Sequence, residues 1–197
     1  MQAARYMTMD AITQLTENRF LSTKGLSDWD EQRLQAAVRR GDAVRLRNGL
    51  YSTRESLADV MVDIDVIIPD GILCLWSAWA VYGLTTSIPN AYYVAIERSR
   101  KVTLPREPAF QLVFQTKKLL SLGVTQKEVQ GYNIRIYDIE RCVCDAVKYR
   151  NKIGIDVMAE IVKEYLRRPE RSISRLMDYA SQLRVRNILE RYLEIWL

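Results

Sequence analysis

The chain has 197 residues, of which 48% are hydrophobic, so it is long enough for one large domain or two small ones. Its 29 Lys and Arg residues against 24 Asp and Glu residues give a net charge of +5, and this mild excess permits nucleic-acid binding without establishing it. The chain contains no histidine, which excludes Ser-His-Asp triads, Cys-His dyads, HExxH zinc sites and phosphohistidine relays.

The sequence indicates neither a membrane span nor a secretion signal. The longest uncharged stretch, 71–96, is interrupted by glycine, proline and asparagine, and its apolar core is too short to cross a bilayer. The N-terminus carries no apolar run of the kind found in signal peptides. The cysteines, Cys74, Cys142 and Cys144, are an odd and sparse set that is typical of free thiols in a reducing compartment. We therefore expect a cytoplasmic protein whose cysteines pack in the core and hold no metal ion.

The first part of the chain predicts two helices separated by a turn. Residues 9–19 suit a short helix, and 20–26 form a mixed apolar segment with a glycine turn. Asp28 is a suitable N-cap for the next helix, and Glu31 completes a pattern that resembles a capping box. This helix is expected to end before Gly41, which occupies the usual position of a C-terminal glycine.

After this helix the hydrophobic period changes from that of a helix to that of a strand. Residues 43–47 alternate, Asn48 and Gly49 are a strong hairpin-turn signal, and 50–52 form the returning strand. A helix, a turn, a capped helix and a two-stranded hairpin are typical of a winged helix-turn-helix. We assign this DNA-binding domain to residues 1–55.

The remaining residues, 56–197, predict an α+β domain with a small antiparallel sheet, packed helices and a helical C-terminal end. Its strands are expected at 91–96, 109–114 and 132–137. Its helices are expected at 56–61, 72–82, 139–149, 155–167, 172–183 and 185–196.

Basic residues concentrate at the end of the second helix and on the hairpin. From Arg39 to Arg54 there are five arginines and one acid, a local net charge of +4. Arginine pairs with phosphate in a planar fork, and glutamine and arginine can read bases bidentately, at about 1–3 kcal/mol each. There are alternatives to DNA contact. The hairpin arginines could simply be solvated, and the tryptophan could pack in the core. The candidate DNA-binding residues are Trp29, Gln32, Arg33, Gln35, Arg39, Arg40, Arg45, Arg47 and Asn48.

A second group of polar residues follows on one predicted helix. Its members are Arg141, Asp145, Lys148, Tyr149 and Arg150. Because residues four apart share a helix face, these side chains could be ion-pair and hydrogen-bond supports, or they could form a site.

An enzyme acting on nucleic acid or nucleotides is the alternative function, with Asp70, Glu97 and Asp145 as its carboxylates. A nuclease motif of the PD…(D/E)xK type is a poor fit, since no lysine follows Asp or Glu at the required spacing. The phosphate-binding loop of P-loop NTPases is also missing from the sequence. The arginines and the lysine between 163 and 191 indicate either a solvated helix face or a second contact with nucleic acid. A third possible function is that of an adaptor that binds another protein through the helix over 185–197.

Four segments in a fixed order carry a resemblance to a known family. They are Arg45–Tyr51 (RLRNGLY), Ser77–Thr85 (SAWAVYGLT), Tyr92–Ile96 (YYVAI) and Ile139–Arg150 (IERCVCDAVKYR). Together they resemble the AbiEi antitoxins of type IV toxin–antitoxin systems, over nearly the whole chain. The family often has a histidine before the Gly-Leu pair, where this chain has Tyr82.

The resemblance implies a two-domain transcriptional regulator that is not an enzyme and needs no cofactor. The winged helix would bind inverted repeats in the operator of its own operon and repress transcription. The C-terminal domain would counter a co-encoded nucleotidyltransferase-like toxin without forming a stable complex with it. A role for the group from Arg141 to Arg150 in antitoxicity comes from the resemblance only.

Overall fold

The computed structural model describes residues 11–18, 20–53 and 63–196, and the chain divides into two compact units. The N-terminal unit comprises 1–62 and 103–108, and the C-terminal unit comprises 63–102 and 109–197. The predicted boundary near residue 55 and the helix predicted over 56–61 lie outside the described residues. The same holds for the side chains of Trp196 and Leu197.

The N-terminal unit combines two helices with a three-stranded antiparallel sheet in the order β1-β3-β2. The predicted helices and the hairpin with its Asn48-Gly49 turn are confirmed, and β1 is an additional strand in the segment expected to be irregular. Gly49 has a φ of 73°, which glycine adopts without strain. The elements are α1 (Ala11–Asn18), β1 (Phe20–Ser22), α2 (Asp28–Arg40), β2 (Val44–Arg47) and β3 (Leu50–Ser52).

Helix α2 begins one residue earlier than its predicted cap implies. Ser27 is the N-cap, with extended backbone, and its Oγ accepts a hydrogen bond from the N–H of Asp30 at 3.2 Å. The expectation that Asp28 caps the helix is wrong, because its own backbone is already helical. Gly41 ends the helix in the left-handed conformation, with a φ of 86°, as predicted.

One apolar cluster orients α2 in this unit. Leu34 and Ala37 are buried, and Val38 packs against the same cluster, which confirms the predicted inward stripe. The cluster also includes Ala11, Leu15, Leu21, Ala43 and Tyr51. The opposite face of α2 is consequently turned outward.

The C-terminal unit is a five-stranded mixed sheet with helices, and the α+β composition is confirmed. Its strand order is β6-β5-β4-β8-β7. Its elements are α3 (Ile64–Ile67), β4 (Ile72–Leu73), α4 (Leu75–Tyr82), β5 (Tyr92–Glu97), β6 (Phe110–Gln115), α5 (Lys117–Leu120), β7 (Val124–Val129), β8 (Tyr132–Tyr137), α6 (Ile139–Ile153), α7 (Ile155–Leu166), α8 (Ile173–Gln182) and α9 (Arg186–Trp196).

The prediction of a purely antiparallel sheet is wrong. Strands β4 and β5 pair antiparallel, as do β7 and β8, but β5 pairs with β6 and β4 with β8 in parallel. Residues 98–109 return the chain to the edge where β5 began, so β6 runs in the same direction as β5. This connection is long and contains no tight-turn hairpin signal, which suits the crossover that parallel strands require.

The helix predicted over 72–82 is two elements. Ile72 and Leu73 form the central strand β4 and are fully enclosed, and α4 begins only at Leu75. A short run that is apolar on all sides suits a central strand as well as a buried helix, so periodicity alone does not separate them. The polar edge strand β7 was missed because its side chains hardly alternate in hydrophobicity.

Helix α6 lies at the centre of the helical layer and contacts α4, α7, α8 and α9. The indole Nε1 of Trp79 on α4 donates to the carbonyl of Cys142 at 3.0 Å. Cys74, Cys142 and Cys144 are all buried free thiols, as expected for packing residues, and burial raises the pKa of each. Among the helices that the structure describes, none is long and apolar enough to cross a membrane.

The cap of α2 offers a direct test of this local structure. We expect Ser27→Ala to lower the free energy of unfolding of the N-terminal unit by about 1 kcal/mol, because the N–H of Asp30 loses its acceptor. Asp28→Ala is the matched control and should cost less, about 0.3–1 kcal/mol, since it removes only a favourable charge near the helix N-terminus. Urea denaturation followed by circular dichroism measures both. A larger loss from Asp28→Ala would contradict the cap assignment.

Candidate functional site

The outward face of α2 carries the residues predicted to read DNA. Trp29 is 62% exposed, so it does not pack in the core, and the guanidinium of Arg33 lies 4.5 Å from the centre of its ring. Residues 32, 35, 39 and 40 are also exposed. We call this set, Trp29, Gln32, Arg33, Gln35, Arg39 and Arg40, the α2 face.

Charge is unevenly distributed along α2. Asp28, Asp30 and Glu31 lie in its first turn, where carboxylates stabilise the helix dipole. Arg39 and Arg40 lie in the last turn, and Arg40 Nε pairs with Asp42 Oδ2 at 2.9 Å. Because both side chains of that pair are well exposed, it contributes little stability and leaves the arginine accessible.

The hairpin holds a second exposed arginine in a defined position. The Nη2 of Arg45 donates to Oδ1 of Asn48 at 2.7 Å, and both residues are exposed. Leu46 is buried next to them, and the strand register shifts between Arg45 and Arg47. The N–H of Thr23 donates to the carbonyl of Gly49 at 2.8 Å, which ties the turn to the end of β1. The side chain of Arg47 is outside the described part of the chain.

The structure separates the predicted group on α6 into two parts, and the first is buried. Arg141 and Asp145 are 0% and 2% exposed, and their Nε and Oδ1 atoms lie 3.1 Å apart. The Nη1 of Arg141 also donates to the carbonyls of Leu119 at 2.7 Å and Leu122 at 3.0 Å, and the guanidinium lies 4.3 Å from the ring centre of Tyr137. These contacts make Arg141 and Asp145 internal supports, the simpler of the two roles that their spacing allowed.

The electrostatics of this pair follow from its burial. Burial raises the pKa of the Asp145 carboxyl, and the charge of Arg141 opposes that shift. Burial alone would lower the pKa of the Arg141 guanidinium, but the neighbouring Asp145 raises it above its ordinary value. The loop after α5 approaches closely, since a Cβ on Gly123 would lie 2.7 Å from the Cβ of Arg141.

The second part of the group, Lys148, Tyr149 and Arg150, is half-buried at the end of α6. Tyr149 lines a cleft of about 390 Å³ and its hydroxyl accepts from Nε2 of Gln115 at 3.4 Å. Burial lowers the pKa of Lys148 and raises that of Tyr149. Arg150 donates to the carbonyl of Val147 at 3.0 Å. The remaining lining residues are Leu75, Trp76, Tyr93, Gln111, Leu112, Val113, Phe114, Lys152 and Ile153.

Two acidic residues support the start of α6: Asp138, which the sequence analysis missed, and the buried Glu140, which lies in the same helical pattern as the group from Arg141 to Arg150. Asp138 caps the helix, accepting from the N–H of Arg141 at 2.9 Å and from the hydroxyl of Tyr179 at 2.9 Å. Glu140 accepts from the hydroxyl of Tyr165 at 3.2 Å and from the N–H of Ser172 at 3.1 Å. An aspartate directly before a helical pattern is a capping signal, so Asp138 was detectable. The partners of Glu140 depend on tertiary structure and carry no local signal.

The three carboxylates of the enzyme alternative have different surroundings. Asp70 is exposed and pairs with Arg135 at 2.8 Å, Glu97 accepts from Oγ of Ser99 at 3.1 Å, and Asp145 is paired in the core. Within residues 11–18, 20–53 and 63–196, no group of three or more Cys, Asp or Glu side chains is arranged to hold a metal ion. The geometry therefore gives no specific support to an active site at these carboxylates.

Comparisons with known proteins do not decide between these surfaces. No protein-family model matches the chain, and no curated protein matches it in sequence. A functional assignment consequently depends on the accessible residues, which are the α2 face, the hairpin arginine and the end of α6.

The buried ion pair predicts a large difference between two superficially similar substitutions. Asp145→Ala should lower the free energy of unfolding by about 3–5 kcal/mol, because it leaves the buried charge of Arg141 without a counter-ion. Glu190→Ala is the matched control, since Arg186 and Glu190 have the same spacing, with their Nε and Oε1 atoms 2.8 Å apart, but are 53% and 41% exposed. That substitution should cost about 0.3–0.5 kcal/mol. Equal losses in urea denaturation would contradict a supporting role for the buried pair.

Proposed function

We propose that the chain is a DNA-binding autorepressor and antitoxin of the AbiEi type, with a winged helix-turn-helix over 11–53. The observation that carries the first half of this proposal is the exposed α2 face on the same small scaffold as the exposed Arg45 hairpin. The order helix, strand, helix and hairpin, with one apolar cluster beneath α2, supports the same assignment. Its partner is double-stranded operator DNA containing inverted repeats.

In this proposal α2 enters the major groove of the operator. Gln32, Arg33 and Gln35 read base edges, because glutamine pairs with adenine and arginine with guanine. Arg39 and Arg40 neutralise phosphates at the far end of the helix. The central position 36 is a half-buried alanine, and its small side chain allows the helix to approach the base edges closely.

The hairpin acts as the wing. Arg45 is held by Asn48, so its guanidinium loses less side-chain entropy when it meets a phosphate or enters the minor groove. Arg47 lies on the same strand and shares this role. Trp29, on whose ring Arg33 stacks, forms the other exposed end of the surface and contacts the sugar-phosphate backbone.

The antitoxin half of the proposal is supported by the resemblance to the AbiEi antitoxins and by the accessibility of the residues at the end of α6. Lys148, Tyr149 and Arg150 are the members of the α6 group that reach the surface, whereas Arg141 and Asp145 hold the helix in place. The toxin to be countered is a nucleotidyltransferase-like enzyme. Its neutralisation involves no stable complex and no cofactor of this chain.

The wing predicts a specific loss of DNA affinity. We expect Arg45→Ala with Arg47→Ala to weaken binding to the operator in the promoter of the chain's own gene. Each lost phosphate contact should also reduce the slope of log affinity against log salt by about 0.9. Gel shifts over a range of salt concentrations, with a footprint of the promoter, measure both effects.

The matched control for the wing is Arg191→Ala, which removes an exposed arginine from the C-terminal unit. It should leave the operator affinity and the salt slope unchanged. If the footprint and the slope of the wing variant equal those of the wild type, the assignment of the hairpin to DNA is wrong.

The antitoxin assignment predicts a separable phenotype. The adjacent reading frame, expected to encode the nucleotidyltransferase-like toxin, is co-expressed with the wild-type chain or its variants. Lys148→Ala with Arg150→Ala should lose the rescue of growth while keeping operator binding, because these residues lie outside the winged-helix unit. Colony counts with Arg191→Ala as control measure the effect, and full rescue by the double variant would remove these residues from the antitoxin surface.

A further inference from the structure

A cluster of cations lies where β5 and β6 end. The two strands are parallel, Glu97 pairs in register with Gln115, and the N–H of Arg98 donates to the carbonyl of Gln115 at 2.8 Å. The residues that follow both strands therefore lie at the same edge of the sheet. Within 97–101 and 116–118 there are five cations and one acid. We call the cations, Arg98, Arg100, Lys101, Lys117 and Lys118, the strand-end cluster.

The strand-end cluster brings five cations together without counter-ions among the described residues. In the part of the chain that the structure describes, none of its members forms an ion pair, and all but the half-buried Arg100 are exposed. The arginines of the C-terminal helices are mostly neutralised: Arg167 pairs with Glu164, Arg168 with Glu170, Arg175 with Glu140 and Arg186 with Glu190. The strand ends therefore present a local excess of positive charge that no described acidic side chain neutralises through an ion pair.

Aromatic side chains line a cleft beside β6, the strand that leads to Lys117 and Lys118. Phe114, the next-to-last residue of β6, is 49% exposed and lines the same cleft as Tyr149. Trp76 and Tyr93 line this cleft as well, and the Nζ atoms of Lys148 and Lys152 lie 5.9 Å from the ring centre of Tyr149. The cleft volume of about 390 Å³ falls in the range of about 300–1,000 Å³ that accommodates small ligands.

The geometry of β6 makes this surface accessible to an extended ligand. It is an edge strand, paired only with β5 among the described residues. The cleft follows four consecutive residues of it, 111–114, towards the strand-end cluster. A ligand lying along this edge would meet aromatic rings first and cations next.

We propose that this surface binds a single-stranded nucleic acid. The strand-end cluster neutralises its phosphates, and unstacked bases pack on Phe114 and enter the cleft beside Tyr149. Aromatic rings and cations in succession along one strand edge match a chain that carries free base faces and phosphates, whereas a duplex keeps its base faces stacked. An acidic peptide would engage the cations but would leave the four aromatic lining residues unused. The inference is independent of operator binding by the N-terminal unit.

The test uses the full chain and fluorescence anisotropy. The probes are labelled oligouridylate and oligothymidylate of about 12 nucleotides, a length within the range of about 4–16 nucleotides covered by known single-strand sites. A duplex of equal length is the third probe. Both single strands should bind more tightly than the duplex to a protein carrying Arg45→Ala and Arg47→Ala, and their difference in affinity reports the combined contribution of the ribose hydroxyl and the thymine methyl group.

Two sets of variants separate charge from stacking. Lys117→Gln with Lys118→Gln should weaken oligouridylate binding and reduce the salt slope by about 1.4, since each contact on a single strand contributes about 0.7. Phe114→Ala should weaken it about fivefold or more, and Phe114→Trp should retain it, because a base stacks on any aromatic ring. Neither set should affect operator binding by the N-terminal unit.

The matched control is Arg167→Gln with Arg186→Gln, which removes the same charge from paired positions and should change affinity by less than about twofold. Equal loss in this control would overturn the strand-end cluster as the site. Equal affinity for the duplex, with no effect of Phe114→Ala, would overturn base stacking. Failure of both single strands to bind, or displacement of oligouridylate by polyglutamate at equal concentration, would overturn the proposal.

Discussion

The guanidinium of Arg141 is fully buried, so its charge and the donors on Nε and Nη1 are satisfied inside the C-terminal unit, whereas Nη2 makes no hydrogen bond within the described part of the chain. Removing such a charge from water costs several kcal/mol, and the counter-charge of Asp145, two loop carbonyls and the face of Tyr137 together offset that cost. These contacts join α6 to the segment after α5 and to the end of β8. The positions of the surface residues on α6 therefore depend on the buried ion pair of Arg141 and Asp145, which is not accessible to a binding partner.

The same helix explains why one motif can contain residues with unrelated roles. Positions 141 and 145 face the core, whereas 148 to 150 reach the opposite end of α6, where the sheet edge and the cleft begin. A change at Asp145 would displace the cleft residue Tyr149 by loosening the helix that carries it. A loss of function after such a change would therefore reflect an altered structure. Only substitutions at the accessible end of the helix can test direct contact with a partner.

Local signals predicted much of the fold. The glycine after α2, the Asn48-Gly49 turn and the helical periods of α7 to α9 depend on neighbouring residues and were correct in kind. The strand at 72–73, the parallel pairing of β5 with β6 and the partners of Glu140 depend on residues far apart in sequence. The strand-end cluster escaped notice for the same reason, because its two halves are separated by the whole of β6 and the connection before it.

The connection between β5 and β6 has a further consequence. Residues 103–108 belong to the N-terminal unit although they lie between two strands of the C-terminal unit. The N-terminal unit is thus a discontinuous domain, assembled from two separated stretches of sequence. A fragment truncated after residue 55 lacks one of these stretches, and any single block of sequence that contains both also contains β4 and β5 of the other unit. Gene recombination that moves the whole N-terminal unit in one piece therefore also moves part of the five-stranded sheet.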